Sequence, residues 1–121
     1  MRYLGLLALL SSAVVAPQSV AFAHAFLERA SPPVGSEIPA APPELSITFT
    51  EGVEPLFSTI VVDGPDGAAI ATSKAHSESG NDRRLIVALP KLLPGTYTVI
   101  WHATSVDTHK TEGTYKFTVT H

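Results

Sequence analysis

The sequence contains no cysteine among its 121 residues. Disulfide bonds are therefore excluded, and so are metal sites and nucleophiles built on a thiolate. A domain of this size without disulfides has to be held together by its hydrophobic core alone. The usual signatures of hydrolytic catalysis are missing as well, because no Gly-x-Ser-x-Gly elbow and no glycine-rich phosphate loop occurs. The sequence therefore gives little support to nucleophilic catalysis.

Positive charge is also scarce. Eight Lys and Arg residues face eleven Asp and Glu residues, for a formal net charge of −3 at pH 7. No basic patch is present, so we expect no nucleic-acid partner. No segment after the first 23 residues shows a convincing 3.6-residue apolar period, and we expect no helix there.

The first 23 residues have the features of a secretory signal peptide. A short positive start is followed by an apolar run over residues 4–16, and Ala21-Phe22-Ala23 fits a small-x-small cleavage site. The run is shorter than the roughly 20 residues that span a bilayer, which argues against a membrane anchor. The sequence thus predicts a cleaved signal peptide at residues 1–23 and one exported domain at residues 24–121.

Strict alternation of apolar and polar residues marks the strands of this domain. It is clearest over residues 44–50, 95–104 and 113–120. Further strands are expected at residues 24–30, 58–63, 68–72 and 83–89, with a polar loop at residues 73–82. About seven short strands, a proline-rich crossover and no helix indicate an antiparallel β-sandwich of the immunoglobulin-like or Greek-key type, with a closed barrel as the alternative. The expected core residues are Leu45, Ile47, Phe49, Tyr97, Val99, Trp101, Tyr115, Phe117 and Val119.

Asp107 and His109 stand two residues apart between the last two predicted strands. In extended backbone, residues i and i+2 point to the same side, so both side chains can face one point. A carboxylate and an imidazole form half of a site for a first-row metal ion. Taken alone, the pair is more typical of a polar loop with a capping aspartate.

His24 becomes the first residue of the chain once the signal peptide is removed. Its α-amine and imidazole can then chelate one metal ion, and an α-amine with a pKa of about 7.7–8.0 deprotonates at small cost. With Asp107 and His109 this gives three nitrogens and one oxygen, a set that suits tetragonal Cu(II) and fits Zn²⁺ less well. The alternative is that cleavage happens to fall before a histidine.

The other histidines and one glutamate are weaker candidates. His102 is expected to be solvated on the polar face of its strand, His76 lies in the predicted loop, and His121 ends the chain. Glu51 follows a strand and could approach the metal as an optional ligand, although a solvated turn residue is the simpler interpretation.

Several motifs together resemble the periplasmic copper-resistance proteins of the CopC type. The resemblance covers essentially all of residues 24–121, and its specific part is the histidine at position 24 combined with the Ser-x-Asp-x-His loop at 105–109. The supporting motifs are His24-Ala25-Phe26-Leu27, Ser31-Pro32-Pro33-Val34-Gly35-Ser36, Leu45-Ser46-Ile47-Thr48-Phe49-Thr50-Glu51, Phe57-Ser58, Leu93-Pro94-Gly95-Thr96-Tyr97-Thr98-Val99, Trp101 and Gly113-Thr114-Tyr115-Lys116-Phe117.

The resemblance implies a small periplasmic β-sandwich, a monomer and not an enzyme, that binds Cu(II) through His24, Asp107 and His109. It further implies a role in copper tolerance or supply beside an inner-membrane partner of the CopD type. Some members also bind Cu(I) through a methionine-rich loop. Here the only methionine is Met1, so we expect a protein specific for Cu(II).

Two alternatives belong to other functional classes. Copper-dependent lytic polysaccharide monooxygenases also begin with a histidine that chelates copper on a β-sandwich, but this chain is short and lacks a run of exposed aromatic residues. A carboxylate in the fourth equatorial position would also leave little room for oxygen. The other alternative is an adhesive sandwich module without a metal.

Overall fold

The computed structural model describes residues 24–121, and the predicted signal peptide lies outside this range. The described residues form eight strands and a one-turn 3-10 helix at Pro55–Phe57. The strands are β1 (Leu27–Ser31), β2 (Glu37–Ile38), β3 (Glu44–Phe49), β4 (Thr59–Asp63), β5 (His76–Glu78), β6 (Asn81–Ala88), β7 (Gly95–Thr104) and β8 (Lys110–Val119).

Two four-stranded sheets pack face to face. The first has the strand order β1-β3-β6-β5 and the second has the order β2-β8-β7-β4. The pairings are antiparallel except for that of β2 with β8, which is parallel and involves only Glu37 and Ile38 of the proline-rich crossover. This architecture confirms the predicted β-sandwich.

Alternation along the strands places the core as the sequence predicted. All nine expected core residues are buried, and none is more than 5% exposed. Phe49 of the first sheet meets Trp101 of the second edge to face, with ring centroids 5.2 Å apart. Trp101 also lies over its cross-strand partner Gly113, where a Cβ atom would approach the indole to 2.5 Å. The missing side chain of Gly113 therefore makes room for the ring that joins the two sheets.

Three expectations about the elements were wrong. Residues 76–78, predicted as part of a loop, form β5 at the edge of the first sheet, because backbone pairing with β6 requires no apolar alternation. Residues 68–72 contain only the single bridge between Asp63 and Ala69. β8 begins at Lys110, three residues earlier than expected, which shortens the preceding loop. Within residues 24–121, no helix has the length and apolar character needed to cross a bilayer.

Candidate metal centre

The first residues of the described chain are hydrogen-bonded to both sides of the sandwich. The amide of Phe26 donates to the Thr50 hydroxyl, which in turn donates to the carbonyl of His24, at 3.0 and 3.2 Å. On the other side, the Thr111 hydroxyl donates to the carbonyl of Ala25 at 2.5 Å. Ala25 is fully buried. The segment before β1 therefore closes one end of the sandwich and holds His24 in a defined position.

The loop between β7 and β8 is organised around Ser105, which is only 1% exposed. Its hydroxyl accepts a hydrogen bond from the amide of His109 at 3.1 Å and donates to the carboxylate of Asp107. The backbone amide of Ser105 donates to the carbonyl of His109 at 2.8 Å. One buried side chain thus connects both residues predicted to bind the metal.

The sequence argument assumed that residues 107–109 have an extended backbone. In the structure this loop is not extended. Thr108 adopts a φ of +73°, in the left-handed region that β-branched residues rarely occupy. Its amide donates to the carbonyl of Ser105 at 2.8 Å, which closes a tight turn. Asp107 and His109 still come together, with 3.3 Å between Asp107 Oδ1 and His109 Nδ1. The turn therefore produces the proximity that the sequence argument attributed to strand geometry.

The Asp107 carboxylate is held in its ionised form. The hydrogen bond from the Ser105 hydroxyl, aided by the hydrogen bond and charge of His109, lowers the pKa of Asp107 from its ordinary value. Both side chains remain accessible, since His109 is 38% exposed and Asp107 is 49% exposed. A charged oxygen and an imidazole are thus presented together at the surface.

His24 reaches this loop through its side chain. The imidazoles of His24 and His109 stack with ring centroids 4.9 Å apart and an interplanar angle of 26°. The three predicted ligands are therefore connected through His109. They do not converge on one point, however: among residues 24–121, no group of three His, Asp or Glu side chains is arranged to hold a metal ion. In the full chain the nitrogen of His24 is also part of the peptide bond to Ala23.

The remaining candidates lie in other surroundings. His102 is exposed on the outer face of the second sheet, as expected, with its Nε2 atom 3.1 Å from a carboxylate oxygen of its cross-strand partner Glu112. His76 lies on β5, and His121 contacts Thr120. Glu51 takes part in no ion pair within the described part of the chain. None of these residues joins the pair of stacked imidazoles.

Sequence reasoning missed the residues that position the centre. In the sequence Ser105 stood out only as the first residue of the Ser-x-Asp-x-His motif, whereas its buried hydroxyl forms hydrogen bonds that organise the loop. Thr50 ends the strand expected at residues 44–50, and Thr111 falls between the strands expected at residues 95–104 and 113–120. No local pattern could have revealed their bonds to His24 and Ala25, because these contacts cross between segments distant in sequence.

Comparison with known proteins assigns the chain to a family. The sequence matches the CopC domain over residues 27–120. It is 42% identical over 114 residues to Protein YobA of Escherichia coli K12, covering 93% of this chain and 90% of that protein. It is 34% identical over 106 residues to Copper resistance protein C of Escherichia coli, covering 82% and 83%. It is also 35% identical over 99 residues to Copper transport protein CutJ of Bacillus subtilis, covering 81% of this chain but 18% of that protein.

Solved structures agree with this assignment. CopC from Methylosinus trichosporium OB3b superposes with a TM-score of 0.76 at 34% identity, covering 80% of this chain and 94% of that one. PcoC, a methionine-rich copper resistance protein from Escherichia coli, superposes with a TM-score of 0.71 at 29% identity, covering 80% and 99%.

Fold and sequence together define a small β-sandwich of the copper-resistance class. The chain belongs to the CopC domain family. This membership confirms the resemblance on which the sequence argument relied, and also the prediction that the protein is not an enzyme.

Proposed function

We propose that this protein binds Cu(II) in the periplasm, at a site formed by His24, Asp107 and His109, and that it serves copper resistance or homeostasis. The observation that supports this most strongly is the stacking of His24 on His109 beside the Asp107 carboxylate. Two imidazoles from distant parts of the sequence and one ionised oxygen are close enough to bind the same ion after a small rearrangement.

The fourth donor in this proposal is the α-amine of His24. Removal of residues 1–23 would free it, and it would chelate the ion together with the imidazole of the same residue. Three nitrogens and one oxygen in tetragonal geometry favour Cu(II), which also ranks above Zn²⁺ and the other divalent first-row ions in affinity for such ligands. Among residues 24–121 the three side chains do not converge on one point, and the chelating nitrogen is still an amide in the full chain.

The proposed oxidation state follows from the donors that are available. Cu(I) selects soft thioether ligands, and the PcoC relative is described as methionine rich. Here the only methionine is Met1, which would leave with the signal peptide. The oxygen and nitrogen donors that remain are those suited to Cu(II).

The names of the relatives support the biological role. The name of Copper resistance protein C indicates a role in copper tolerance. In Copper transport protein CutJ the matching region is a small part of a longer chain. We infer that the present domain works as a monomer, delivering copper to a separate inner-membrane partner of the CopD type.

The proposal is tested by titrating the protein that begins at His24 with Cu(II) in competition with a chelator. Electron paramagnetic resonance at one equivalent should show a tetragonal Cu(II) centre with nitrogen ligands. An adhesive module would show no stoichiometric binding. A monooxygenase would bind copper but would also produce peroxide with ascorbate or cleave a polysaccharide, which we do not expect.

A further inference from the structure

The outer face of the first sheet carries an organised set of polar side chains away from the metal loop. Arg29 on β1, Thr48 on β3 and Arg84 on β6 are direct partners in the strand register, so they form one row across three strands. Ser31 and Ser46 form the adjacent row. Because cross-strand partners point to the same side of a sheet, the two guanidinium groups flank a line of hydroxyl groups.

Two of these hydroxyl residues are buried although they face away from the core. Ser46 is 6% exposed and Thr48 is 4% exposed. They form the floor of a depression of about 260 Å³, which is lined by Arg29, Ala30, Ser31, Ser46, Thr48 and Arg84. A solvated sheet face would leave such hydroxyls open to water, whereas here they lie at the bottom of a polar recess.

The charges around the depression do not cancel. Arg84 forms an ion pair with Glu78 at 2.7 Å and donates to the Ser46 hydroxyl at 3.2 Å. Arg29 takes part in no ion pair within residues 24–121. Glu44 lies further along the same face of β3 and does not line the depression. One positive charge therefore remains uncompensated in a chain whose formal net charge is −3.

We propose that this depression is a binding site for a phosphate-type oxyanion, distinct from the metal centre. Guanidinium groups bind such anions through charge-assisted, often bidentate hydrogen bonds, and hydroxyl groups add further donors. The donors stand on both sides of the floor and on the floor itself. A tetrahedral anion can accept from all three directions, whereas a planar carboxylate has only two oxygens.

Inorganic phosphate is the probe that tests the site. It should be titrated into the protein at constant ionic strength while amide chemical shifts are followed by NMR. We expect saturable shifts around Thr48 and Arg84. Arg29→Gln and Thr48→Val should each weaken phosphate binding about tenfold or more, since each removes a donor to a charged group.

Arg83→Gln is the matched control. It removes one positive charge, as Arg29→Gln does, but from the residue that precedes Arg84 and does not line the depression. The Arg83 guanidinium donates instead to the carbonyl of Thr50 at 3.4 Å. This variant should bind phosphate like the wild type. An equal loss in Arg83→Gln and Arg29→Gln would reduce the effect to net charge and overturn the proposal, as would shifts that do not saturate or that lie outside the depression.

A second arm of the experiment separates two sources of the anion. Co-sedimentation with phosphatidylglycerol vesicles that is lost in Arg29→Gln but not in Arg83→Gln would identify a lipid headgroup. Saturable phosphate binding without vesicle binding would identify a free phosphate compound. Failure of both assays would refute the site while leaving the copper proposal unaffected, because the depression shares no residue with the metal loop.

Discussion

The imidazole of His24 stacks on the imidazole of His109, with 4.9 Å between the ring centroids, although the two residues are far apart in the sequence. The contact depends on the sandwich, because hydrogen bonds to Thr50 and Thr111 fix the segment that carries His24. The proposed metal centre can therefore form only in the folded protein.

Loss of the ligand side chains should weaken copper binding without unfolding the protein. His109→Ala and Asp107→Ala should each lower Cu(II) affinity by more than the 10–100-fold typical of outer-shell changes, with the larger loss for the histidine. Competition titration with a chelator measures the effect. Since both residues lie in a surface loop, the metal-free variants should melt close to the wild type. A fall in Tm of more than about 8 °C in metal-free His109→Ala would mean that the residue is structural.

Ser105 is expected to position the ligands. Ser105→Ala removes the hydrogen bonds to the Asp107 carboxylate and the His109 amide, and should weaken Cu(II) binding about 10–100-fold. It should also raise the pKa of Asp107 towards its ordinary value, because the Ser105 hydroxyl is the main cause of its depression. NMR titration of the carboxyl carbon in the metal-free protein measures this shift.

Ser58→Ala is the control for this variant. Ser58 is also buried, and its hydroxyl accepts from the amide of Thr104 and donates to the carbonyl of Glu54, at 3.0 and 2.7 Å. Its loss should cost comparable stability and leave both copper affinity and the pKa of Asp107 unchanged. Equal copper loss in the two variants would show that Ser105 acts only through stability.

Two buried tyrosines should respond in opposite ways to loss of the hydroxyl. The Tyr97 hydroxyl donates to the carbonyl of Leu93 at 2.5 Å, whereas that of Tyr115 has no hydrogen-bond partner among residues 24–121. Tyr97→Phe should destabilise the domain by about 1 kcal/mol, and Tyr115→Phe should be neutral or stabilising by a similar amount. Thermal melts should differ by several degrees, because about 1 kcal/mol shifts Tm by about 4–8 °C in a domain of this size. A lower Tm for Tyr115→Phe than for Tyr97→Phe would contradict this assignment.

Tyr115 should also make the stability of the domain depend on pH. Burial raises the pKa of Tyr115 above its ordinary value, so the folded state retains the proton longer than the unfolded state. The contribution of the protonated Tyr115 hydroxyl to the free energy of unfolding is fully present below about pH 10 and is lost as the pH rises above that value. Denaturant unfolding at about pH 8 and pH 11 should therefore show a smaller alkaline loss in Tyr115→Phe than in the wild type. Equal losses would exclude Tyr115 as the titrating group.

Much of the fold could be predicted because alternation reports directly on burial. Tyr97, Trp101 and Phe117 lie inside the sandwich for the reason that the sequence gives: each stands on the apolar face of a strand with period two. β5 could not be predicted in this way. Its residues, from His76 to Glu78, are polar, and only the edge of β6 makes them a strand.

The candidate ligands of the proposed site could be chosen from the sequence, but the contacts that position them could not. The residue types of His24, Asp107 and His109 indicated a metal ligand set, yet the turn at Thr108 and the buried hydroxyl of Ser105 were not visible in the sequence. A left-handed threonine has no compositional signature, because its conformation is imposed by the hydrogen bonds around it.

The central claim is that the chain end itself is a copper ligand. Adding one glycine ahead of His24 leaves every side chain in place and converts the α-amine of His24 into an amide. Adding one glycine after His121 is the matched control, because it lengthens the chain equally at the end that carries no proposed donor.

The decisive measurement is the Cu(II) affinity of these two extended proteins, with electron paramagnetic resonance at one equivalent. We expect the N-terminal extension to lower the affinity by orders of magnitude and to remove one nitrogen from the spectrum, while the C-terminal extension matches the protein that begins at His24. An N-terminally extended protein that binds Cu(II) as tightly as the unextended one would exclude the amine and contradict the proposed site.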